Sequence, residues 1–491
     1  MAPNTLSVLS LNCWGLYIVS KKRKFRLESI AKAINQASYD IVTLQEIWVQ
    51  DDFQKIKACL ATKLPYAKYF YSGALGSGLA IFSKFPIIQT SYFRYSLAGR
   101  PLKVFHGDYY VGKGCATVCL EHPIAGLIQV FTTHLHAGYG NSDEYQGHRI
   151  TESWELANLL RSAAAQGRQI IVTGDFNSVP TSYNYRILME HAFMTDSWLE
   201  VHSGDDDGNW ESRNQQRLHD DDPDSFIQQF GITCNSSSNT WSKHFRGLSQ
   251  ETMQQRRTGD RLDYIFYRRT SELRCTESFV VMTERIPGTN MSYSDHYGVQ
   301  SNFIVSGGDD DEQMLLSTEN MATMNNHDSG IRTHLFGGNN SLAMTQPSSF
   351  EMASPTYTNL DLTTVQELII VLQKDQQAMR RTAQRLLRCF MALVGLVIIL
   401  YIVIVVVPYR VTISIVGSWH RDNDMLIIWL LPLLVGIPLI VCSVLAMVCL
   451  IVGFVFGYGE QQTMHQHVTD LQTLLHGIQL RNRTPSLIPR S

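Results

Sequence analysis

The chain has 491 residues and a formal net charge of −3, with 44% hydrophobic and 17% charged residues. The near-neutral charge excludes a strongly basic nucleic-acid-binding protein and an acidic disordered chain. The charged fraction is below the roughly 25% usual for globular proteins, while the length allows two or three domains.

The first 305 residues are predicted to form one domain in which strands and helices alternate. Helices are predicted over 25–35 and 151–165, the first with an apolar face of Phe25, Leu27, Ile30 and Ile34. Short apolar runs with polar ends are typical of buried strands. Such runs occur at 6–13, 40–48, 78–83, 128–136, 169–177 and 262–268. The order predicts a sheet-based core with polar residues gathered at strand ends.

Two polar segments differ from this pattern. Residues 203–258 are rich in Asp, Asn, Ser and Gln, with acidic clusters at 205–207 and 220–222. These clusters allow a cation site, but a solvated insertion loop is the interpretation we favour. Residues 306–355 are polar and poor in aliphatic side chains, which predicts a flexible linker.

Two uncharged stretches follow the linker, at 389–407 and 425–459. A helix needs about 20 apolar residues to cross a bilayer, so each stretch predicts a transmembrane helix, joined by a loop at 408–424. The second is longer than one span and must tilt, kink or extend beyond the bilayer. A pair of buried core helices is the alternative, which the length of both runs disfavours.

The two spans would form a hairpin with both flanks on the same side of the membrane. Four arginines lie between 380 and 388, whereas the loop balances two arginines with two aspartates. The basic excess predicts that the N-terminal domain and the C-terminal tail are cytosolic. No signal peptide is evident, and the nine cysteines include no CxxC pair, as expected in a reduced compartment. The organelle stays open between endoplasmic reticulum, Golgi and plasma membrane.

Segments with heptad spacing of apolar residues lie on both sides of the hairpin. Mostly apolar residues recur at spacings of three and four through 362–386 and again through 464–478, a pattern typical of coiled-coil seams. We therefore predict an amphipathic juxtamembrane helix over 356–388 and a cytosolic helix and tail over 460–491. The seams would meet within one chain or between two chains of a homodimer. Two separate helices lying on the membrane surface are the alternative.

A series of polar side chains stands at the predicted strand ends. Metal-assisted phosphoester hydrolysis needs oxygen ligands for a hard cation, a base for water and positive groups facing the phosphate. Any one of these residues is ordinarily a cap, a turn or a solvated residue, so only the ordered series is informative. It comprises Asn12, Glu46, His134, His136, Asp175, Asn177, Asp263, Asp295 and His296. His134 and His136 would point to opposite faces of one strand, so only one can enter a site directly.

The ordered series resembles the endonuclease/exonuclease/phosphatase superfamily over about residues 5–305. Its members carry an early Asn, a QE glutamate, a His after a strand, a GDxN pair, an Asp in a DYI strand and a final SDH. The resemblance implies an α+β fold, the DNase-I-like four-layer α/β/β/α sandwich, here followed by a helical hairpin with two transmembrane helices. The segments LNCWGLYIVSKKRKFR, FHGDYYVGKG and THLHAGY, together with the two-span tail, are similar to the membrane-bound neutral sphingomyelinases.

The resemblance also implies roles for individual residues. Glu46 would be the principal Mg²⁺ ligand, or a ligand of Mn²⁺, with Asn12 shaping that metal site. His296 would deprotonate the attacking water, and Asp263 would fix the tautomer of its ring. The remaining roles are phosphate contacts from His134 and Lys113, orientation of water, metal or phosphate by Asp175 and Asn177, and loop support from Asp295.

The implied function is Mg²⁺-dependent hydrolysis of membrane sphingomyelin to ceramide and phosphocholine at a cytosol-facing bilayer, with no nucleic acid as partner. A lysophospholipase C acting on choline lysophospholipids is the alternative enzyme. A nuclease or inositol phosphatase is disfavoured by the near-neutral charge and the anchor. A membrane scaffold with an inactive domain is disfavoured because all the catalytic groups are present. The basic run at 21–24 would be a solvated helix start facing anionic lipid, rather than a nuclear signal.

Overall fold

The computed structural model of the chain describes residues 4–138, 143–202, 223–242, 259–306, 358–416 and 422–483. The chain divides into two compact units. The first comprises residues 1–98, 108–138 and 152–360, and the second comprises residues 99–107, 139–151 and 361–491. The acidic clusters predicted at 205–207 and 220–222, and the linker apart from residue 306, lie outside the described residues.

The first unit contains two six-stranded sheets. The strands are β1 Thr5–Asn12, β2 Ile41–Gln45, β3 Tyr66–Tyr69, β4 Ala80–Ser83, β5 Ile87–Arg94, β6 Gly114–His122, β7 Gly126–His134, β8 Gln169–Asp175, β9 Thr195–Asp196, β10 Asp263–Tyr267, β11 Leu273–Val281 and β12 Gly298–Val305. The first sheet has the order β11-β12-β1-β2-β4-β3, and the second has the order β5-β6-β7-β8-β10-β9. Both sheets are mixed, because the pairs β1–β2 and β7–β8 are parallel and the others are antiparallel.

The main core lies where the two sheets pack face to face. One buried cluster joins Val8 and Ile41 of the first sheet to Val118 and Ile171 of the second. Leu9 and Leu11 of β1 belong instead to a cluster on the other face of the first sheet. This alternation follows from the period of two along a strand. The two sheets with helices packed on them confirm the predicted α+β sandwich.

Helices α1 and α2 cover the outer face of the first sheet through their buried aliphatic side chains. Within its described residues, the N-terminal part has the α-helices α1 Arg23–Gln36, α2 Gln50–Leu60, α3 Asp108–Val111, α4 Gln146–Ala164, α5 Tyr183–Arg186, α6 Ser197–His202 and α7 Pro223–Phe230. Leu27, Ile30 and Ile34 of α1 are buried as predicted, but Phe25 is 42% exposed. The prediction for Phe25 was wrong because, at about 3.6 residues per turn, it lies opposite those three side chains.

Three long helices dominate the second unit: α8 Leu362–Val416, α9 Asp422–Leu450 and α10 Gly457–Arg483. A π-helical stretch, Ile451–Phe456, joins α9 to α10. Helix α8 continues past Pro408 to Val416, although the sequence predicted a loop from residue 408. A proline bends a helix and removes one hydrogen bond, but it need not end a helix whose apolar residues continue on both sides.

Two stretches of these helices are long and apolar enough to cross a membrane. They are Leu362–Arg410 and Pro432–Asn482. Few side chains in their most apolar parts are buried within the chain, unlike those of a core helix in a soluble domain. Both helices therefore fit the predicted membrane spans.

The predicted heptad seams lie between α8 and α10 within one chain. Leu372 and Met379 of α8 and Met464 and Leu471 of α10 are all buried. The helices approach closely near the membrane, where a Cβ added at Gly457 would lie 2.8 Å from Cβ of Ala383. Of the two arrangements expected from sequence, the chain adopts the intramolecular one, and homodimer formation stays a prediction.

The second unit also includes two segments from the N-terminal part of the chain, residues 99–107 and 139–151. The backbone N–H of Gly147 donates to Oδ2 of Asp375 on α8, at 2.9 Å. Nε2 of His148, a fully buried residue, lies 3.9 Å from Oε1 of Glu460 on α10. These contacts attach residues 143–151 to the C-terminal helices.

Candidate active site

Strand ends from both sheets bring the predicted residues together. Asn12 is the last residue of β1, and Glu46 follows β2, its parallel neighbour. His134 and Asp175 end β7 and β8, where they are direct partners, and Asp263 begins β10 opposite Asp175. Because the carboxyl ends of parallel strands meet at one edge, this topology gathers side chains that lie far apart in sequence.

The backbone at this edge departs from regular strand geometry. Trp14, Glu46 and Asn177 have positive φ angles of 47°, 60° and 46°, which non-glycine residues seldom adopt. A Cβ at Gly15 would lie 2.2 Å from the carbonyl oxygen of Glu46, so only glycine permits this approach of the two loops. Such local strain is often found at functional sites.

The amide of Asn12 joins two carboxylates. Its Nδ2 donates to Oε1 of Glu46 at 3.2 Å and to Oδ2 of Asp175 at 3.0 Å. Its Oδ1 accepts from the backbone N–H of Trp14 at 3.0 Å, which fixes the orientation of the amide. Asn12 therefore positions both carboxylates, while its own oxygen is engaged elsewhere.

Three carboxyl groups of the site have raised pKa values. Burial, with the nearby charge of Asp295, raises the pKa of Glu46 to about 7. Burial, with the charge of Asp263, raises the pKa of Asp175 to about 6. Burial likewise raises the pKa of Asp295. Asp295, expected only to support its loop, thus lies close enough to Glu46 to add negative charge to the site.

His296 forms the imidazole–carboxylate pair expected from the sequence. Its Nδ1 lies 2.8 Å from Oδ2 of Asp263, and its Nε2 lies 3.9 Å from Oδ2 of Asp175. Burial acts to lower the pKa of His296, but the negative charges of the Asp263 and Asp175 carboxylates outweigh it and hold that pKa above 6.5. The ring is therefore oriented through Nδ1, with Nε2 directed towards Asp175.

The two neighbouring histidines occupy different environments. Nε2 of His134 lies 3.6 Å from Oδ2 of Asp175, and its buried Nδ1 has no hydrogen-bond partner among the described residues. Nε2 of His136 instead lies 3.5 Å from Oδ2 of Asp108. Burial, followed by the charge of Lys113, lowers the pKa of His134 well below 6.5. His134 is thus the neutral imidazole in the site.

Lys113 and Asn177 share one backbone acceptor. Nζ of Lys113 donates to the carbonyl oxygen of Leu135 at 2.6 Å and pairs with Asp108 at 2.9 Å. Nδ2 of Asn177 donates to the same carbonyl oxygen at 3.1 Å. The structure therefore brings both predicted phosphate-contacting residues together beside His134.

The donor set fits a divalent metal ion. One ligand atom from each of Asp175, Asp263 and His296 falls within 4.8 Å of the others, and all three residues are buried. Oδ1 of Asp263 has no hydrogen-bond partner among the described residues. Clustered, buried carboxylates are stabilised by a cation, and oxygen donors favour hard ions such as Mg²⁺ or Mn²⁺. The predicted ligand Glu46 is linked to this group through Asn12.

Sequence reasoning missed Arg26, which is fully buried. Its guanidinium donates to the carbonyl oxygens of Cys13, Trp14 and Lys21, and also to that of Tyr293, at 2.7–3.0 Å. It thereby joins the loop after Asn12 to the segment before His296. The sequence does contain a sign of this role: Arg26 lies on the same helical face as Ile30 and Ile34, and an arginine is unusual on such an apolar face.

Cys234 was also missed. Its Sγ lies 3.5 Å from Nε2 of His296, the ring nitrogen that does not contact Asp263. Burial raises the pKa of this thiol to about 11, so it is protonated at neutral pH. No spacing or motif around Cys234 signals this contact.

The fold and the ordered site define the class of protein. The model of the Endonuclease/Exonuclease/phosphatase family matches residues 9–296, more than half of the chain, and the chain belongs to this family. It is 40% identical over 299 residues to an inositol phosphosphingolipids phospholipase C of Schizosaccharomyces pombe, covering 60% of this chain and 68% of the relative. It is 35% identical over 215 residues to sphingomyelin phosphodiesterase 2 of Homo sapiens, covering 43% and 51%.

Among solved structures, the chain is similar to sphingomyelinase C from Streptomyces griseocarneus, with 18% identity and a TM-score of 0.43. That match covers 61% of this chain and 99% of the bacterial one. The family match and the curated relatives confirm the resemblance to neutral sphingomyelinases expected from the motifs.

Proposed function

We propose that this chain hydrolyses the phosphodiester bond of membrane phosphosphingolipids, and specifically converts sphingomyelin to ceramide and phosphocholine. The observation that carries the proposal is the hydrogen bond between His296 and Asp263, with Nε2 of the ring directed towards the Asp175 carboxylate. The names of the relatives, a phosphosphingolipid phospholipase C and a sphingomyelin phosphodiesterase, support the substrate class.

His296 would act as the general base. Its Nε2 would take a proton from water as the water oxygen bonds to phosphorus and the bond from phosphorus to the ceramide oxygen breaks. The ceramide alkoxide that leaves would then take up a proton from water. Asp263 holds the reactive tautomer through Nδ1 and stabilises the imidazolium that forms. The base must be neutral before it acts. The high pKa of His296 would therefore have to fall once a bound cation offsets the negative charge of the surrounding carboxylates.

Glu46 would hold a divalent cation, Mg²⁺ or Mn²⁺, with Asn12 orienting its carboxylate; the cation would offset negative charge on the phosphoryl oxygens. His134, neutral at physiological pH, can donate a hydrogen bond to a phosphoryl oxygen as charge develops. Lys113 and Asn177 lie next to it and would fix the position of the phosphate group. Asp175 would orient the water between His296 and the phosphate.

The two apolar helices would anchor the enzyme in the bilayer that contains its substrate. We place the catalytic domain and both termini in the cytosol, on the basis of the arginines that precede the first span. Anchoring raises the local concentration of lipid substrate without requiring a high affinity for single molecules.

The test is hydrolysis by the full chain reconstituted in proteoliposomes. Phosphocholine release is compared between sphingomyelin and lysophosphatidylcholine, and headgroup release is measured from an inositol phosphosphingolipid, the substrate class named for the yeast relative. We expect sphingomyelin to react fastest. A faster rate on the inositol lipid would change the assigned headgroup preference. A faster rate on the lysolipid would change the assigned preference for a sphingolipid.

Two variants test the chemistry in the same assay. His296→Ala and Glu46→Ala should each lower the rate by about 10³-fold or more, because each removes a group on which the chemical step depends. His202→Ala and Glu121→Ala, which change the same residue types outside the site, are the matched controls. Wild-type rates in His296→Ala and Glu46→Ala would rule out the mechanism.

A further inference from the structure

A turn of three consecutive apolar side chains extends into solvent close to the active site. Tyr17, Ile18 and Val19 are 71%, 90% and 67% exposed. Single exposed apolar side chains are common on protein surfaces, but a contiguous set of this exposure is costly in water and typically marks an interaction site. The turn begins five residues after Asn12, the last residue of β1.

The turn is braced at its base. Arg26 donates to the carbonyl oxygens of Cys13 and Trp14 before the turn and of Lys21 after it. The backbone N–H of Ser20 donates to the carbonyl oxygen of Leu16 at 3.2 Å, which closes the turn. The apolar side chains are therefore presented from a fixed loop.

Positive charge follows the apolar turn directly. Lys21, Lys22 and Lys24 are exposed, and none of them forms an ion pair with a described residue. The adjacent Arg23 is instead buried against Asp52. Apolar side chains beside unpaired lysines complement a bilayer interface, in which acyl chains lie beneath anionic headgroups.

A second apolar loop leaves the same edge of the first sheet. Tyr71 and Leu75, between β3 and β4, are 63% and 57% exposed. Tyr69 at the end of β3 and Leu44 of β2 both pair with Ala80 at the start of β4. This register places the loop at the edge where β2 ends, next to Glu46.

We propose that Tyr17, Ile18 and Val19 insert into the interface of an anionic phospholipid bilayer, with Lys21, Lys22 and Lys24 contacting its headgroups and the Tyr71–Leu75 loop beside them. This contact would orient the edge of the sheet that carries Asn12 and Glu46 towards the lipid surface. The inference rests on the proposed function only for the identity of the substrate, since contact with a bilayer can be measured without turnover.

The direct test is hydrogen–deuterium exchange of the full chain in nanodiscs that contain no sphingomyelin. We expect the peptide over residues 13–24 to exchange at least about threefold more slowly in phosphatidylcholine/phosphatidylserine nanodiscs than in amphipol, where no bilayer is present. Ile18→Ser/Val19→Ser should abolish this protection. Equal exchange in nanodiscs and amphipol would overturn the proposal and indicate a protein as the occupant.

A triple lysine variant tests the proposed contact with the lipid headgroups. Lys21→Gln/Lys22→Gln/Lys24→Gln should remove the difference in protection between nanodiscs with and without phosphatidylserine, because the electrostatic attraction is lost. A difference that persists in this variant would remove the lysines from the proposal.

Turnover provides the second readout. We expect Ile18→Ser/Val19→Ser to lower, by about tenfold, the ratio of the rate on nanodisc sphingomyelin to the rate on a water-soluble choline phosphodiester. The matched control is Phe279→Ser/Ile304→Ser, two side chains that are 43% and 47% exposed, the second paired with Thr5 at the opposite end of β1. Equal ratios in the two variants would overturn the proposal, whereas a wild-type chain that hydrolyses neither substrate would overturn the proposed function alone.

Discussion

Nδ1 of His296 lies 2.8 Å from Oδ2 of Asp263, a residue 33 positions earlier in the chain. The carboxylate is 1% exposed and the imidazole residue 8%, so little water competes for this hydrogen bond. It determines which nitrogen of the ring is left for proton transfer.

Replacing the carboxylate should therefore damage catalysis more than folding. In Asp263→Asn, we expect the hydrolysis rate to fall by about 10²–10⁴-fold, because the amide favours the wrong tautomer and cannot stabilise the imidazolium. Asp260→Asn, which changes a carboxylate three residues earlier that accepts from Asn235, is the control. A rate for Asp263→Asn close to that of Asp260→Asn would show that Asp263 does not fix the reactive tautomer of His296.

The raised pKa values of Glu46, about 7, and Asp175, about 6, predict a pH-dependent stability. The folded state binds these protons more tightly than the unfolded state, so its stabilisation is complete below the unfolded pKa values of about 4. The free energy of unfolding should then fall as pH rises through about 6 and 7, as both carboxylates ionise. Thermal melts of the metal-free chain in detergent would measure this fall.

Added Mg²⁺ should reverse that loss, and its effect should grow with pH because the cation binds the ionised carboxylates. At 100 times the dissociation constant, a ligand adds about 2.7 kcal/mol of stability. We expect a clear rise in melting temperature at about pH 8 and little change at about pH 5. Glu46→Gln should lose most of the Mg²⁺-dependent rise, and a full response in that variant would remove Glu46 as the principal ligand.

His134 and His136 offer a matched pair. His134→Ala should lower the rate by about 10²–10³-fold with little loss of stability, because its ring lies in the candidate site and would donate one hydrogen bond to the phosphate. His136→Ala should mainly lower the melting temperature, because it empties a fully buried position beside Asp108. Rates and melting curves of both variants would separate these roles. The reverse pattern would show that His136 contacts the phosphate.

Arg26 should support both stability and rate. Arg26→Lys leaves several buried carbonyl oxygens without a donor, at a cost of about 3 kcal/mol. The loops that carry Trp14 and Tyr293 should then loosen, and the rate should fall with them. Lys32→Arg, an exposed change on the same helix, is the control in thermal melts and activity assays. If Arg26→Lys matched this control, Arg26 would not be a positioning residue.

Many residues of the candidate site could be predicted from local sequence patterns. Apolar runs with polar ends located Asn12, Glu46, Asp175 and Asp263 at strand ends, and the period of two along a strand separated His134 from His136. The structure brings these groups together because β1 and β2, and likewise β7 and β8, are parallel neighbours.

The contacts that sequence reasoning missed join residues far apart in the chain. Arg26 and Tyr293 are separated by 267 positions, and Cys234 and His296 by 62. Such pairs depend on how the sheets and loops pack, which no local period encodes. The exposure of Phe25, in contrast, was available from helix geometry, because its direction on α1 differs from that of Ile30.

The contacts of residues 143–151 with α8 and α10, through Asp375 and Glu460, bear on how the enzyme can be shortened. A shortened chain that ends after Val305 would keep both sheets and all the candidate catalytic side chains. It would lack the helices that accept the N–H of Gly147 and surround His148. The C-terminal helices therefore also stabilise residues 143–151. A water-soluble fragment without these helices would lack those stabilising contacts.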